Sequence, residues 1–262
     1  MTSTDYHIIN SDGAFPPPDP ATRIWRFMSV AKLVSLLSKQ ALFFARADKL
    51  DDHYEGSLPK LVAKKAEESF EKLTPRGQEI IRSTREHYGY LQSKLWTMVN
   101  CWYLNEHESA AMWKLHACDG VSVQSTFQRF VDAIVPSAGI IYLGEVRYLN
   151  YEMEAWDIKN DPRTILSIFH KRKSFEHEHE FRAAISVPLP SGIYNCAEGP
   201  GYLDANGMPG MYVPVDIARL IEKICVSPGA PPWFRDVVKT VAGVCVLDGA
   251  VVPSQLDSEA LW

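Results

Sequence analysis

Ile24-Trp25-Arg26-Phe27-Met28-Ser29-Val30-Ala31-Lys32-Leu33-Val34-Ser35-Leu36-Leu37-Ser38-Lys39-Gln40-Ala41-Leu42-Phe43-Phe44-Ala45 is the stretch on which the fold turns. Ile24 to Met28 is a short apolar run interrupted only by Arg26. Ser29 is a residue type that caps helices, because its side-chain oxygen accepts from an otherwise orphaned amide. Val30, Leu33, Val34 and Leu37 then recur at helical spacing and predict one amphipathic helix ending near Gln40. Ala41 to Ala45 reads as a buried strand. Strand, helix and strand in so short a span make this the start of a domain that mixes the two element types.

Working outward, residues 1–22 read as an arm, since Pro16, Pro17, Pro18 and Pro20 force extended backbone. The domain is expected to span residues 23–262. Asp48 to Gly56 is an acidic loop closed by glycine. Residues 58–95 read as a helical insertion, broken at Thr74-Pro75, where threonine caps and proline takes the first helical position. Thr97 to Leu104 returns to strand character. Ser109 caps a short helix carrying Met112, Trp113 and His116, and Gly120 breaks it before a strand, Val121 to Ser125. Thr126 to Val135 predicts a helix and Ile140 to Tyr148 a strand. Pro162 to Lys173 reads as helix and Glu180 to Val187 as strand. Residues 188–212 are loop by their Pro, Gly and Asn content. Lys223 to Ser227, Trp233 to Ala242 and Val244 to Leu247 read as strand, helix, strand. The sum is a single α+β domain with a central mixed or antiparallel sheet flanked by helices.

Composition narrows the partners. The chain has 262 residues, a net charge of −5, 46% hydrophobic and 23% charged residues, ordinary values for a globular protein. A net negative charge does not favour broad nucleic-acid or anionic-membrane binding, which normally shows a basic face. Lys171-Arg172-Lys173 is a local basic triplet, a patch or a solvated helix end. No apolar run approaches the roughly 18 residues of a membrane span. Cys101, Cys118, Cys196, Cys225 and Cys245 form no CxxC, and an odd count argues against a closed disulfide framework. A reduced, cytoplasmic protein is the expectation.

The chemistry-bearing residues cluster in a few segments. Read as one strand, Glu176, Glu178, Glu180 and Arg182 would line one face, with His177, His179 and Phe181 on the other. Carboxylates so close raise one another's pKa unless a cation or substrate sits among them. Arg182, Lys171 and Arg26 could each supply that charge; a charged, solvent-facing strand edge is the equal alternative. Arg26, between Trp25 and Phe27, must find an anion: a phosphate, or an ion pair with Glu55 or Glu180. Asp51, Asp52, His53 and Glu55 offer metal-ligand types without a recognisable spacing, a turn with self-satisfied Asp side chains being the alternative; His170, His177 and His179 include an HxH, which recurs in zinc sites and also by chance. Met112 and Trp113 read as core, with Trp113 able to wall a pocket. There is no GxGxxG, no GxxxxGK[ST] and no GxSxG, which weighs against a Rossmann enzyme, a P-loop ATPase and an α/β-hydrolase.

In order and spacing several blocks resemble one family. They are Trp25-Arg26-Phe27, Leu42-Phe43-Phe44, Leu50 to Gly56, Met112-Trp113, Gly120, Lys171 with Phe175, and Glu178-His179-Glu180-Phe181-Arg182. Together they resemble the bacterial family called domain of unknown function 2971. That pattern runs from an aromatic-basic-aromatic start through an Asn-Asp-Pro-Phe-Glu loop and a Met-Trp helix to a closing Glu-x-Glu-x-Arg. The resemblance covers about residues 24–187. Asp51, His53 and Tyr54 stand where the family has asparagine, proline and phenylalanine; Asp52 and Glu55 are kept.

An arginine in an early strand followed by Glu-x-Glu in a late one is also similar to ADP-ribosyltransferases. That resemblance implies NAD as substrate, with Arg26 on the diphosphate or ribose. Glu180 would be the carboxylate that stabilises the ribosyl cation, Glu178 would activate the acceptor, and Tyr103 or Trp113 would flank the nicotinamide. A fixed negative charge beside an oxocarbenium-like centre lowers its barrier electrostatically. Trp25, Asp52, Glu55, Lys171 and Arg182 would complete a nucleotide-like binding site without a resident cofactor or metal. Two other readings stand beside it. One is a non-catalytic binding or effector module for bacterial stress or phage defence, with the charges as an ion-pair network. The other is a metal-dependent hydrolase built on Asp52, Glu55 and the histidines.

Overall fold

The computed structural model describes residues 6–8, 17–88, 93–135, 140–154, 164–186 and 208–259. Its strands are β1 Tyr6–Ile8, β2 Arg23–Ser29, β3 Ala41–Arg46, β4 Thr97–Leu104, β5 Gly120–Thr126, β6 Ile141–Glu145, β7 Arg147–Leu149, β8 His170–Arg172, β9 Glu180–Ser186, β10 Gly210–Pro214, β11 Lys223–Val226 and β12 Val251–Pro253. The helices include α1 Val30–Lys39, α2 Lys60–Glu71 and α3 Pro75–Tyr88, with shorter ones at Ala110–His116 and Phe127–Ala133 and a longer one at Pro232–Gly243. This is an α+β domain, and a large mixed sheet is its spine.

Strand order in that sheet is β1-β6-β9-β4-β2-β5-β11-β12, with β3 joining β4 to β10. The sheet forks at β4. β2 pairs with it through Ile24↔Leu104 and Trp25↔Tyr103, and β3 pairs with the same strand through Ala45↔Val99 and Arg46↔Met98. Beyond Trp25, β2 follows β5 instead, in register from Arg23↔Thr126 to Ser29↔Gly120. Between the two branches, Asn100 to Trp102 have no strand partner on that edge. Asn100 fills part of the gap, donating its amide to Phe43 O at 2.9 Å and accepting from Trp102 Nε1 at 2.7 Å.

α1 connects the two branches of the fork, joining β2 to β3. Ser29 caps it through Lys32 N, and Gln40 ends it in the left-handed region at φ 47°. Its buried Leu33, Leu36 and Leu37 join Ile24, Met28, Phe44, Trp102, Phe130 and Phe181 in the main core. Two smaller clusters lie on the opposite face of the sheet: Val99, Ala184, Ile168 and Phe169 in one, Trp25, Tyr103, Met112 and Trp113 in the other. Gly120 is obligatory where β5 passes β2, because a Cβ there would lie 2.3 Å from Met28 O.

Several expectations need correction. The N-terminal arm contributes a strand, since β1 pairs in parallel with β6. Pro162 to Lys173 is not one helix: within the described part, Thr164–Phe169 is a 3-10 turn and His170–Arg172 is β8, paired with β7. Ile165, Ile168 and Phe169 are buried, a spacing that three residues per turn satisfies as well as 3.6. Val244 to Leu247 is a turn, with Val244 and Val246 left 82% and 86% exposed. The chain must reverse there so that Val251–Pro253 can lie parallel to β11. Of the expected loop 188–212, Gly210 to Tyr212 open β10, residues 208–209 precede it, and residues 188–207 lie outside the described residues. The insertion is a helical pair, tied back through Lys60 N to Tyr151 O and through Lys60 to Glu152. Among the described residues, no helix is long and apolar enough to cross a membrane.

Candidate functional site

β4 and β9 position the centre of the site. Their register sets Tyr103 opposite Glu180 and Cys101 opposite Arg182, so these four side chains share one face of the sheet. The expected single strand from Glu176 onward does not form. Lys173–Glu178 is a 3-10 turn, and His179 at φ 36° swings the chain into β9. Glu176 is therefore exposed and outside the cluster, and His177 and His179 are exposed rather than lining a back face. Glu178 reaches Glu180 by the turn, not by strand alternation. β8 delivers Lys171 to the same point.

The result is a buried ion network. Arg182, 1% exposed, grips Glu55 bidentately at 2.7 and 2.9 Å and Glu180 at 2.6 and 3.1 Å. It also donates to Ile168 O. Lys171 Nζ contacts Glu180 at 2.7 Å, Glu55 at 3.3 Å and Glu178 at hydrogen-bond distance. Glu180 N donates to Tyr148 Oη at 2.8 Å. Fully ionised, three carboxylates face two cations; one proton on Glu178 makes the set neutral.

The electrostatics separate the two neighbouring glutamates. Burial alone would raise Glu180, but Arg182, the hydrogen bond with Glu178 and Lys171 outweigh it and hold it well below the usual carboxylate range. Burial raises Glu178 first, its hydrogen bond with ionised Glu180 adds to this, and Lys171 only partly opposes them, leaving it at about 7. Burial disfavours the charged forms of Arg182 and Lys171, yet the surrounding carboxylates more than restore them. Burial and the Glu180 charge push the Cys101 thiol far up, so it stays protonated. A carboxylate kept charged beside one that titrates near neutrality is an arrangement suited to acid–base work.

The remaining residues named from sequence are spread around this cluster. Asp52 caps its own turn, accepting from Tyr54 N, and binds Arg172 bidentately at 2.7 and 3.1 Å. Gly56 closes that turn at φ 67°. Asp52 and Glu55 thus each face an arginine. Among the described residues, no group of three or more His, Cys, Asp or Glu could hold a metal ion. Trp25 and Trp113 are 2% and 3% exposed and donate their indole N–H to Asn105 O and Glu108. Both are core, and Tyr103 meets Phe27 and His179 edge-on beside them.

Arg26 is half-buried in the fork. Strand alternation puts it on the face opposite Trp25, Tyr103 and Glu180, so it does not join Glu55 or Glu180. Its Nη1 donates to Cys101 O at 3.3 Å, and its guanidinium lies 5.9 Å from the Trp102 ring centre. Burial lowers its pKa, and no carboxylate pairs with it among the described residues.

Sequence reading missed Cys101, Tyr148 and the Arg172–Asp52 pair. It also passed over His116 as a neighbour of the cluster. That imidazole is disfavoured as a cation by close packing first and by Lys171 next, although its surface is largely exposed. Only the Lys-Arg-Lys triplet signalled any of these. No protein-family model, curated protein or solved structure matches the chain.

Proposed function

We propose that this protein is an ADP-ribosyltransferase-like enzyme that cleaves the nicotinamide–ribose bond of NAD and passes ADP-ribose to an acceptor. The observation that carries the reading is the Glu178–Glu180 pair. One carboxylate is pinned in its charged form by Arg182 and Lys171, and its neighbour is more exposed and takes up a proton near neutral pH. The fixed charge of Glu180 would stabilise a developing ribosyl cation. Glu178, the more accessible of the two, would accept the acceptor's proton. Arg26 stands on the opposite face of the sheet from Glu180 and is left out of this substrate site. Tyr103 would contribute the apolar wall, while Trp25 and Trp113 support it from behind. Membership in the family that the motif order resembles, and a reducing cytoplasm for the free thiols Cys101, Cys118, Cys225 and Cys245, belong to the same proposal.

One observation favours a second reading, a binding module whose ion network is purely structural. Arg182 and Lys171 between them occupy both oxygens of Glu180 and both of Glu55. The two readings part on Glu178. Nicotinamide release from NAD by the purified protein is the test, with Glu178→Gln as the informative variant. Loss of general acid–base help lowers release by roughly 100-fold or more, with the thermal midpoint held within a few degrees. Unchanged release in Glu178→Gln removes the residue from the mechanism. No release at all, with no thermal shift on adding NAD, leaves the binding module. Glu180→Gln is less informative, because it strands Arg182 and Lys171 in the interior and costs stability as well.

A further inference from the structure

The basic triplet Lys171-Arg172-Lys173 is neither a patch nor a helix end. Alternation along β8 sends Lys171 into the ion network and Arg172 the other way, toward a separate cavity of about 320 Å³. That volume lies at the lower end of small-molecule sites, roughly 300–1,000 Å³. Tyr54, Tyr151, Arg172, Lys173 and Ser174 are among its walls.

Arg172 is pre-organised there. Buried Asp52 takes its Nε and Nη2, leaving Nη1 without a partner among the described residues. Its guanidinium lies 4.4 Å from the Tyr54 ring centre and 5.3 Å from that of Phe175. Tyr54 is itself 47% exposed and edge-on to Tyr151 at 5.9 Å. The charges nearby cancel in pairs, Asp52 with Arg172 and Glu152 with Lys60. Lys173 is exposed and has no ion pair among the described residues, so it stands in the cavity wall as an uncompensated charge.

A rigid planar donor, a free ammonium, a hydroxyl and an open aromatic ring converge on one small space. We propose that this cavity binds a phosphate ester bearing a planar ring, of mononucleotide size. The phosphate takes Arg172 Nη1, Lys173 Nζ and Ser174 Oγ, and the ring lies against Tyr54. The site is separated from the Glu178–Glu180 pair by β8, and it does not depend on the NAD reading.

Titration calorimetry with AMP and UMP, and with adenosine and inorganic phosphate as half-ligands, tests it. The expected result is a mononucleotide that binds more tightly than either half. Its Kd should weaken about tenfold, the equivalent of roughly 1.4 kcal/mol, in Lys173→Ala and in Tyr54→Ala. Both side chains are exposed, so unchanged thermal midpoints will show that these variants fold. Adenosine binding as tightly as AMP overturns the phosphate assignment, and inorganic phosphate binding as tightly overturns the ring. Unchanged Kd in both variants, or no binding of either mononucleotide at millimolar concentration, overturns the site itself.

Discussion

Replacing Arg182 by methionine asks what the buried network is worth. The guanidinium is 1% exposed and makes four contacts to two carboxylates, at 2.6 to 3.1 Å, as well as one to Ile168 O. Methionine fills much of the volume but leaves Glu55 and Glu180, both buried, with Lys171 as their remaining ion-pair partner among the described residues. Removing one partner of a buried pair typically costs about 3–5 kcal/mol, because an uncompensated charge stays behind. That is a large part of the roughly 5–15 kcal/mol by which a domain is stable. The loss should depend on pH. In the variant, Glu180 stays buried without its arginine and becomes easier to protonate than in the unfolded chain, so the variant gains stability as pH falls toward 5. The wild-type network moves the other way: Glu180 is held well below the usual range, and its contribution is lost only in acid as pH falls through its folded pKa. Urea unfolding at pH 7 and pH 5 reads both effects. A destabilisation under about 1 kcal/mol at pH 7, or one that does not shrink at pH 5, refutes the idea that the charges sit in a low-dielectric interior.

Glu178→Gln should alter the pH profile of stability in the opposite sense. The wild-type carboxyl rises from 4.5 to about 7; its stabilisation is fully present below the unfolded value and is lost as pH climbs to 7. At ~1.4 kcal/mol per unit the ceiling is about 3 kcal/mol, discounted to about 1–2 for partial solvation and coupling to Glu180. Unfolding curves of wild type and variant that stay parallel from pH 4.5 to 7 would contradict this. Arg26→Met should leave the urea midpoint unchanged or raise it, since the lost charge had been desolvated with no carboxylate partner among the described residues; a clear drop would assign Arg26 a structural pairing. Gly120→Ala should cost several kcal/mol by denaturant titration, because its Cβ would meet Met28 O at 2.3 Å. Ser109→Ala removes the cap that accepts from Met112 N at 3.3 Å and should cost about 1 kcal/mol, read from the thermal midpoint.

Local signals were legible where one element satisfies itself. The Ser29 and Ser109 caps each start a helix at the position their hydroxyls predict, while Thr126, read as the first residue of a helix, caps it instead. The apolar runs of β2, β3 and β4 became strands, because β-branched and aromatic residues fit a pleated, buried surface. The carboxylate-rich segment does enter the buried ion network, but it was wrongly shaped. Alternation suggested one strand from Glu176, whereas the left-handed His179 divides it; histidine adopts positive φ more often than most residues, but too seldom to mark a turn by itself.

The sequence by itself determined which residues could be buried and which caps and turns were available, since these depend on side-chain chemistry and spacing within a few residues. It also marked Asp52, Glu55, Lys171, Glu178, Glu180 and Arg182 as charges needing partners. Which charge meets which was decided only by tertiary structure. Arg182 and Glu55 lie far apart in the chain and meet because β9 and the turn before Gly56 are brought to one face of the sheet. Arg26 was separated from Glu180 by the parity of two paired strands and by the fork at β4. A side chain's identity fixes the charge it carries, but strand register fixes the face on which it stands, and register is set by pairing across the whole sheet.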